Sequence, residues 1–267
     1  MTVRYDQNGI TIHEADALQV ATTYPANHFT LAILDGPYAM NKAEWDRLKV
    51  DDLPRWYRPH LEAADRILAP SASLYLWNTA EGWATLHPLM VSMGWAYRGL
   101  IVWDKKTAPT MISNQSAHGW PNIVEVCGHY DRGEPEFRNA DRLSNLWPMP
   151  AVGYSNEKAR HPTKTLKKVA NGLVWAAPLH PCQKPLIFAD RMIRASTRPG
   201  ERVWVPFGGT CREAIAADRI RRSGPADARE VVTCELNQDG PDYLDPVVRI
   251  LNGEGSRPAD PRQVALL

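Results

Sequence analysis

Three observations predict an α/β fold built on a doubly wound, mostly parallel sheet. Short apolar runs alternate with amphipathic stretches at helical spacing. Runs such as LAIL at residues 31–34 are unbroken rather than alternating, as in strands buried on both faces. Acids and glycines follow directly on the runs, at Asp16, at 35–38, at 207–210 and at Glu235. Sheets of this kind bind ligands just beyond the carboxyl ends of their strands.

The elements follow in order. ITIHEADAL begins as a short alternating strand and ends in a loop carrying Asp16. HFTLAILDGPY is a buried strand with an acid and an aromatic at its tip. LPRWYRPHLEAADRILAPS is a helix, with Leu61, Ala64, Ile67 and Leu68 on one face and Pro70 as its stop. ASLYLW is a strand, AEGWATLHPLMVSMGW a helix, and YRGLIVWDK and NIVEVCGHYD are strands. Periodicity fails at 107–122 and 139–178, which read as loops or an inserted subdomain. QKPLIFADRMIRAST is a helix opened by a proline, ERVWVPFGG a strand ending in paired glycines, and REAIAADRIRR a helix. EVVTCELN is a strand and PDYLDPVVRILN the final helix. One domain is expected over 1–252, with insertions at about 105–122 and 139–178, and a flexible tail at 253–267.

The chain has 267 residues and a formal net charge of +1, so a nucleic-acid surface would be a local patch. Cys127, Cys182, Cys211 and Cys234 are far apart and form no CxxC pair, which argues against a zinc site and for reduced thiols. No apolar run approaches the roughly 18 residues of a membrane span, and the N-terminal stretch lacks the apolar core of a signal peptide. A cytoplasmic protein without membrane contact is expected. Ten tryptophans exceed ordinary usage and suit flat ligands as well as a core.

The residues suggest chemistry at two places. In VWVPFGGTCREAIAADRI, followed by REVVTCELN, a strand runs into a glycine turn, a helix and a second strand ending in Glu235. Gly208 and Gly209 allow close backbone approach, and an acid roughly 20-odd residues on suits a ribose, so a nucleoside-containing cofactor is indicated. Two glycines rather than three argue against NAD. Just upstream, a Gln-Lys-Pro turn brings Lys184 and a helix N-terminus toward the same region, suited to a carboxylate. At the other place, Asp35 and the Gly36 carbonyl form a pair of acceptors stiffened by Pro37, with Tyr38 beside them. Two acceptors and a stacking ring fit the exocyclic amine of a flipped nucleobase, whose lone pair they would aim at an electrophile. Glu44 and Asp46 lie beyond a loop, so no metal site is assigned.

The motifs resemble those of the amino DNA methyltransferases, which modify adenine N6 or cytosine N4. Asp-Gly-Pro-Tyr is similar to that family's Asp-Pro-Pro-Tyr. VPFGGTC is similar to its Asp-Pro-Phe-(Ala/Gly)-Gly-Ser-Gly loop. HPCQKPL resembles His-Pro-Thr-Gln-Lys-Pro, CELNQDGPDYLD resembles Ile-Glu-Leu-Asn-Pro-Glu-Tyr, and IHEADAL resembles Gly-Asp-Cys-Leu. GLIVWDKK and NLWPMPAV also have counterparts there. The matches span most of residues 10–250, catalytic motif first and cofactor loop last, which is the permuted β-type order. The resemblance implies a Rossmann-like S-adenosylmethionine methyltransferase fold with insertions for target recognition. It implies S-adenosylmethionine as cofactor and site-specific methylation of double-stranded DNA, most simply at adenine N6 because Asp opens the motif. It implies catalysis by Asp35, Gly36, Pro37 and Tyr38. It also implies cofactor contacts from Asp16 and Ala17 (adenine), Glu235 and Asn237 (ribose), Pro206, Phe207, Gly208, Gly209 and Thr210 (methionine part), and Lys184 and Asp35 nearby. It allows a homodimer and a cognate restriction endonuclease as partners.

Two alternatives stand: a cytosine-N4 enzyme, since the preference of Asp for adenine is not absolute in the family, and, from the departures from the family pattern, a weakened methyltransferase-like DNA-binding protein. Gly36 replaces the first proline, expected to be tolerated because its carbonyl does the work, at the price of a looser loop. Val205 replaces the Asp before Pro-Phe, and Thr210 replaces the Ser. Cys211 replaces the second loop glycine, placing a Cβ where positive φ is expected.

The segment EKARHPTKTLKK, residues 157–168, has five Lys or Arg and one His against one acid. Beside a base-modifying site it reads as a phosphate-binding strip, with Lys164, Lys167 and Lys168, together with Lys105, as expected DNA contacts. Replacing Lys164, Lys167 and Lys168 by Ala should weaken duplex binding and reduce the slope of log K against log salt by about 2–3. An unchanged slope in a fluorescence-anisotropy titration would remove the strip from the interface.

Overall fold

The structure is a computed structural model that describes residues 1–41, 44–106, 120, 122–151, 183–236 and 242–254, with the backbone alone of 167–169 and 172–174. Among these, nine strands form one sheet in the order β1-β2-β11-β10-β3-β4-β6-β5-β7. They are β1 (Thr2–Gln7), β2 (Ile10–Glu14), β3 (Phe29–Leu34), β4 (Leu68–Asn78), β5 (Ala96–Asp104), β6 (Val124–Arg132), β7 (Leu146–Pro148), β10 (Arg202–Val205) and β11 (Glu230–Glu235). Neighbours from β2 to β4 are parallel, while β1 pairs antiparallel with β2 and β6 runs antiparallel to both β4 and β5. Two further short strands, β8 (Lys167–Val169) and β9 (Gly172–Val174), pair with each other.

The unbroken apolar runs are explained by burial on both faces. In β3, Leu31 and Ile33 point to one core while Ala32 and Leu34 point to the other. The same alternation divides Val203 and Val205 from Trp204 in β10, and Tyr75 and Trp77 from Leu74 and Leu76 in β4. One face is covered by α1 (Ala17–Ala21), α2 (Leu53–Ile67) and α3 (Ala80–Ser92). The other is covered by α4 (Leu186–Ser196), α5 (Arg212–Ser223) and α6 (Leu244–Leu251). None of the helices among the described residues is long and apolar enough to cross a membrane.

Chain connectivity decides where the site lies. From β10 the chain passes through α5 to β11 on one side, and from β3 through α2 to β4 on the other. β10 and β3 are adjacent and parallel, so their carboxyl ends flank the point where the winding reverses, and a crevice opens there. Both sequence motifs sit on that rim.

The structure departs from the sequence reading in four places. β1 was not expected, although Asn8 and Gly9, at φ 57 and 75, form the left-handed turn that closes its hairpin with β2. Helix α2 ends at Ile67, and Pro70 lies inside β4 rather than stopping the helix, because β4 starts at Leu68, opposite Phe29. The irregular 139–178 segment contributes a strand to the main sheet, β7, parallel to β5. Of the expected tail, Gly253 and Glu254 close α6 through backbone bonds to Ile250 and Arg249, and 255–267 lie outside the described residues.

Candidate active site

The loop after β3 is fixed from three sides. Asp46 is 1% exposed and accepts from the backbone N–H groups of Tyr38 (2.8 Å), Ala39 (2.9 Å) and Met40 (3.1 Å). This holds Ala39 in a left-handed conformation at φ 60, which a residue with a Cβ otherwise disfavours. The Pro37 carbonyl accepts from the Tyr57 hydroxyl and the Asn78 amide, each at 3.2 Å. A Cβ on Gly36 would lie 2.7 Å from the Tyr57 hydroxyl and 3.0 Å from the Phe207 ring. Gly36 is therefore required by packing. The loop is tied rather than loose, contrary to the reading of glycine as a tolerated loosening.

Around this loop lies a network of buried charge. Lys184, 7% exposed just before α4, donates to both carboxylate oxygens of Asp35 at 2.8 Å. It also reaches the Tyr38 hydroxyl (2.9 Å) and Glu125 on β6 (3.1 Å). Glu125 in turn binds Lys105 at 2.5 Å. The Tyr38 hydroxyl donates to Asp35 at 2.7 Å and lies 3.3 Å from Glu125. Two carboxylates and two ammonium groups thus balance in a largely enclosed site. Burial pushes the Glu125 carboxyl up, but Lys184 and Lys105 more than offset this and hold it below its ordinary value. Burial, then the Asp35 and Glu125 charges, raise the Tyr38 phenol well above its ordinary range, so it stays a donor.

The loop after β10 meets the same crevice. Val205 and Pro206 are buried, and Phe207 packs among His60 (4.9 Å), Trp56 (5.5 Å) and Tyr57 (6.1 Å) of α2. Gly208 donates to the Cys234 carbonyl at 2.6 Å, and a Cβ there would sit 2.4 Å from the Thr233 hydroxyl. Gly209, at φ 50, faces open space, and its N–H is held by Glu235 at 2.6 Å. Thr210 is buried. Cys211 adopts the expected left-handed conformation, φ 46 and ψ 49, with a buried thiol whose pKa burial raises. That backbone costs about 1–2 kcal/mol for a non-glycine residue. Asp16 caps α1 by accepting from the Leu18 N–H at 2.8 Å, and Ala17 begins that helix. The Ala15 N–H reaches the Glu235 carbonyl at 3.1 Å, so the ends of β2 and β11 are side by side.

The expected catalytic and cofactor residues lie at or just beyond the carboxyl ends of β2, β3, β10 and β11 and just before α4, except Asn237, which lies outside the described residues. Lys105 joins the charge network instead of a separate surface. Lys164 lies outside the described residues, and Lys167 and Lys168 are described only as backbone in β8. Sequence reasoning missed Glu125, Asp46, Trp56, His60 and Glu213. A lone acid within the apolar run of β6 was the available signal for Glu125. Glu213, in the first turn of α5, is driven up to about 7 by burial and then by the Asp35 charge.

Over residues 29–239 the chain matches the family model for N6/N4 methyltransferases, described as DNA methylase. The type II methyltransferase M1.MboII of Moraxella bovis is 24% identical over 261 residues, covering 90% of this chain and 96% of that protein. The DNA adenine methyltransferase YhdJ of Escherichia coli K12 is 24% identical over 265 residues, covering 88% and 81%. Among solved structures, the PvuII DNA methyltransferase (cytosine-N4-specific) aligns with a TM-score of 0.64 at 16% identity, covering 94% of this chain and 95% of that one. The M1.HpyAVI–SAM complex aligns with a TM-score of 0.57 at 16% identity, covering 90% and 99%. Both likenesses show the fold.

Two outcomes follow for stability. Gly36→Ala, and equally Gly36→Pro, should lower unfolding free energy in urea by about 1–3 kcal/mol, because the added atoms displace Phe207 or Tyr57. An unchanged midpoint would show that these rings are not fixed. The second concerns pH. Because the Glu213 carboxyl titrates at about 7 in the folded chain, above its ordinary value, its protonated form favours folding, and that contribution fades as pH rises through 7. Glu213→Gln should therefore match the parent protein near pH ~5 and exceed its Tm by about 2–4 °C near pH ~8. A Tm difference independent of pH would contradict this.

Proposed function

The chain belongs to the N6/N4 DNA methylase family, and from that membership we propose that it methylates the exocyclic amine of a base flipped out of double-stranded DNA, with adenine N6 as target and S-adenosylmethionine as methyl donor. One observation carries the reading. The Asp-Gly-Pro-Tyr loop of β3 and the Pro-Phe-Gly-Gly loop of β10 lie far apart in sequence but touch at Gly36 and Phe207, at the point where the sheet reverses. Base and methyl donor would meet there.

The residues fit the cofactor. Gly209 gives it an open backbone approach and Glu235 an acid at the neighbouring strand end. Trp56, His60 and Phe207 form a wall of flat rings, and the His60 Nδ1 is buried without a hydrogen-bond partner among the described residues. Asp16 is close enough to His60 to oppose the lowering of its pKa by burial. When bound, S-adenosylmethionine supplies an electrophilic methyl group. Asp35 would accept from the amine and orient its lone pair, with the Gly36 carbonyl as second acceptor. Tyr38 would flank the base, and Pro37, held by Tyr57 and Asn78, keeps the acceptors in place.

Adenine rests on the Asp that opens the motif, and one relative is named a DNA adenine methyltransferase. A cytosine-N4 reading is favoured by the likeness to a structure named cytosine-N4-specific. Incubation with labelled S-adenosylmethionine and mixed-sequence duplex DNA, then digestion to nucleosides, decides between them. Label is expected in N6-methyladenine, and label in N4-methylcytosine would correct the base. Asp35→Ala should reduce transfer by at least about 10²-fold. No label from the parent protein, or full activity in Asp35→Ala, would overturn the proposal.

A further inference from the structure

Asp35 already accepts three contacts in this structure, two of them from one ammonium group. Lys184 spans both its oxygens at 2.8 Å, and the Tyr38 hydroxyl takes one of them at 2.7 Å. A carboxylate chelated by an ammonium group is a poor acceptor for a neutral amine, because the cation satisfies the same lone pairs more strongly. If Asp35 is to receive a base and aim its lone pair, as the proposed function requires, Lys184 must loosen its hold on the carboxylate. Returning it to water is costly for a side chain 7% exposed, held between the Trp77 and Trp103 rings at 5.4 and 5.9 Å. A second carboxylate already lies beside it: Glu125, at 3.1 Å.

We propose that Glu125 is a positioning residue that takes over the Lys184 ammonium when the target amine enters, releasing Asp35 without moving charge out of the protein. The inference rests on the reading of Asp35 as the amine acceptor. Geometry makes the transfer short, because Lys184 touches both carboxylates already and has only to loosen one contact. Glu125 stays ionised through its two ammonium neighbours. Lys105, bound to Glu125 at 2.5 Å, is less enclosed and yields as Lys184 approaches. Lys184 is faced by Asp35 and Tyr38 from β3 and its loop, by Glu125 and the Cys127 thiol from β6, and by Glu213 from α5. Tyr57 of α2 lies beyond Asp35, and Lys105 beyond Glu125. Of these, Glu125 is the second carboxylate in ion-pair contact with the ammonium.

The test is single-turnover methyl transfer to mixed-sequence duplex DNA by Glu125→Gln. The rate constant should fall about 10- to 100-fold near neutral pH, with KM for cofactor and for DNA within about twofold. Glu125→Asp, which keeps the charge, should recover most of the rate. If Glu125→Gln does not fold, Glu125→Asp carries the same test, and its smaller deficit must also lie in the rate constant and not in KM. A parent-like rate in Glu125→Gln, no recovery of rate in Glu125→Asp, or an effect confined to KM would overturn the handover. Asp35→Ala, assayed alongside, separates the two claims. If it is inactive while Glu125→Gln is parent-like, only the handover fails. If it is active, the function itself fails.

Discussion

Everything at the crevice depends on a buried cation. Lys184 joins the loop after β3, strand β6 and the start of α4 through one ammonium group. Deleting any one partner would leave an unbalanced charge in a medium that solvates it poorly, an error worth about 3–5 kcal/mol. The network therefore holds elements that otherwise touch only through side chains, and it holds them in a register that places Asp35 at the rim. Val205, at the end of β10, completes the apolar face beneath α4 and α5.

Around that charge the loops are locked by complementary shape. Phe207 fills the space that a side chain at position 36 would need, so the two motifs are coupled sterically across the reversal point. The family's proline stiffens this loop covalently. Here the stiffness comes from Asp46, Tyr57 and Asn78, which together hold four backbone groups of 37–40. The left-handed Cys211 is a comparable compromise: its backbone is strained, but its N–H bonds the Gly208 carbonyl at 2.6 Å and its buried thiol fills the turn.

Much of this could be read from the chain. Burial on both faces leaves unbroken apolar runs, and a strand tip leaves Asp35 and Glu235 at their ends, because both signals are local. The roles of Lys184 and Glu125 were not readable in the same way. A lysine at a helix start and an acid within a strand acquire meaning only when folding brings them to 3.1 Å. Asp46 looked like a loop acid because its partners are backbone amides, which have no sequence signature. Gly36 looked permissive because the atoms that crowd a side chain belong to Tyr57 of α2 and to Phe207 in the loop after β10. β1 was missed for the opposite reason: its Asn-Gly turn was visible, but the strand is mostly exposed and lacks an apolar run.

The strand order has a consequence for biogenesis. β2 and β3 follow each other in the chain, yet β11 and β10 separate them in the sheet. A ribosome making this sequence emits two hydrophobic strands whose facing edges must wait, unpaired, for partners encoded about 170 and about 220 residues later. Pairing at that range closes a large loop and is slow. The nascent chain is thus most vulnerable to aggregation, and most dependent on chaperones, in the interval before the cofactor half emerges. The completed crevice is also the seam at which the sheet is finally sealed.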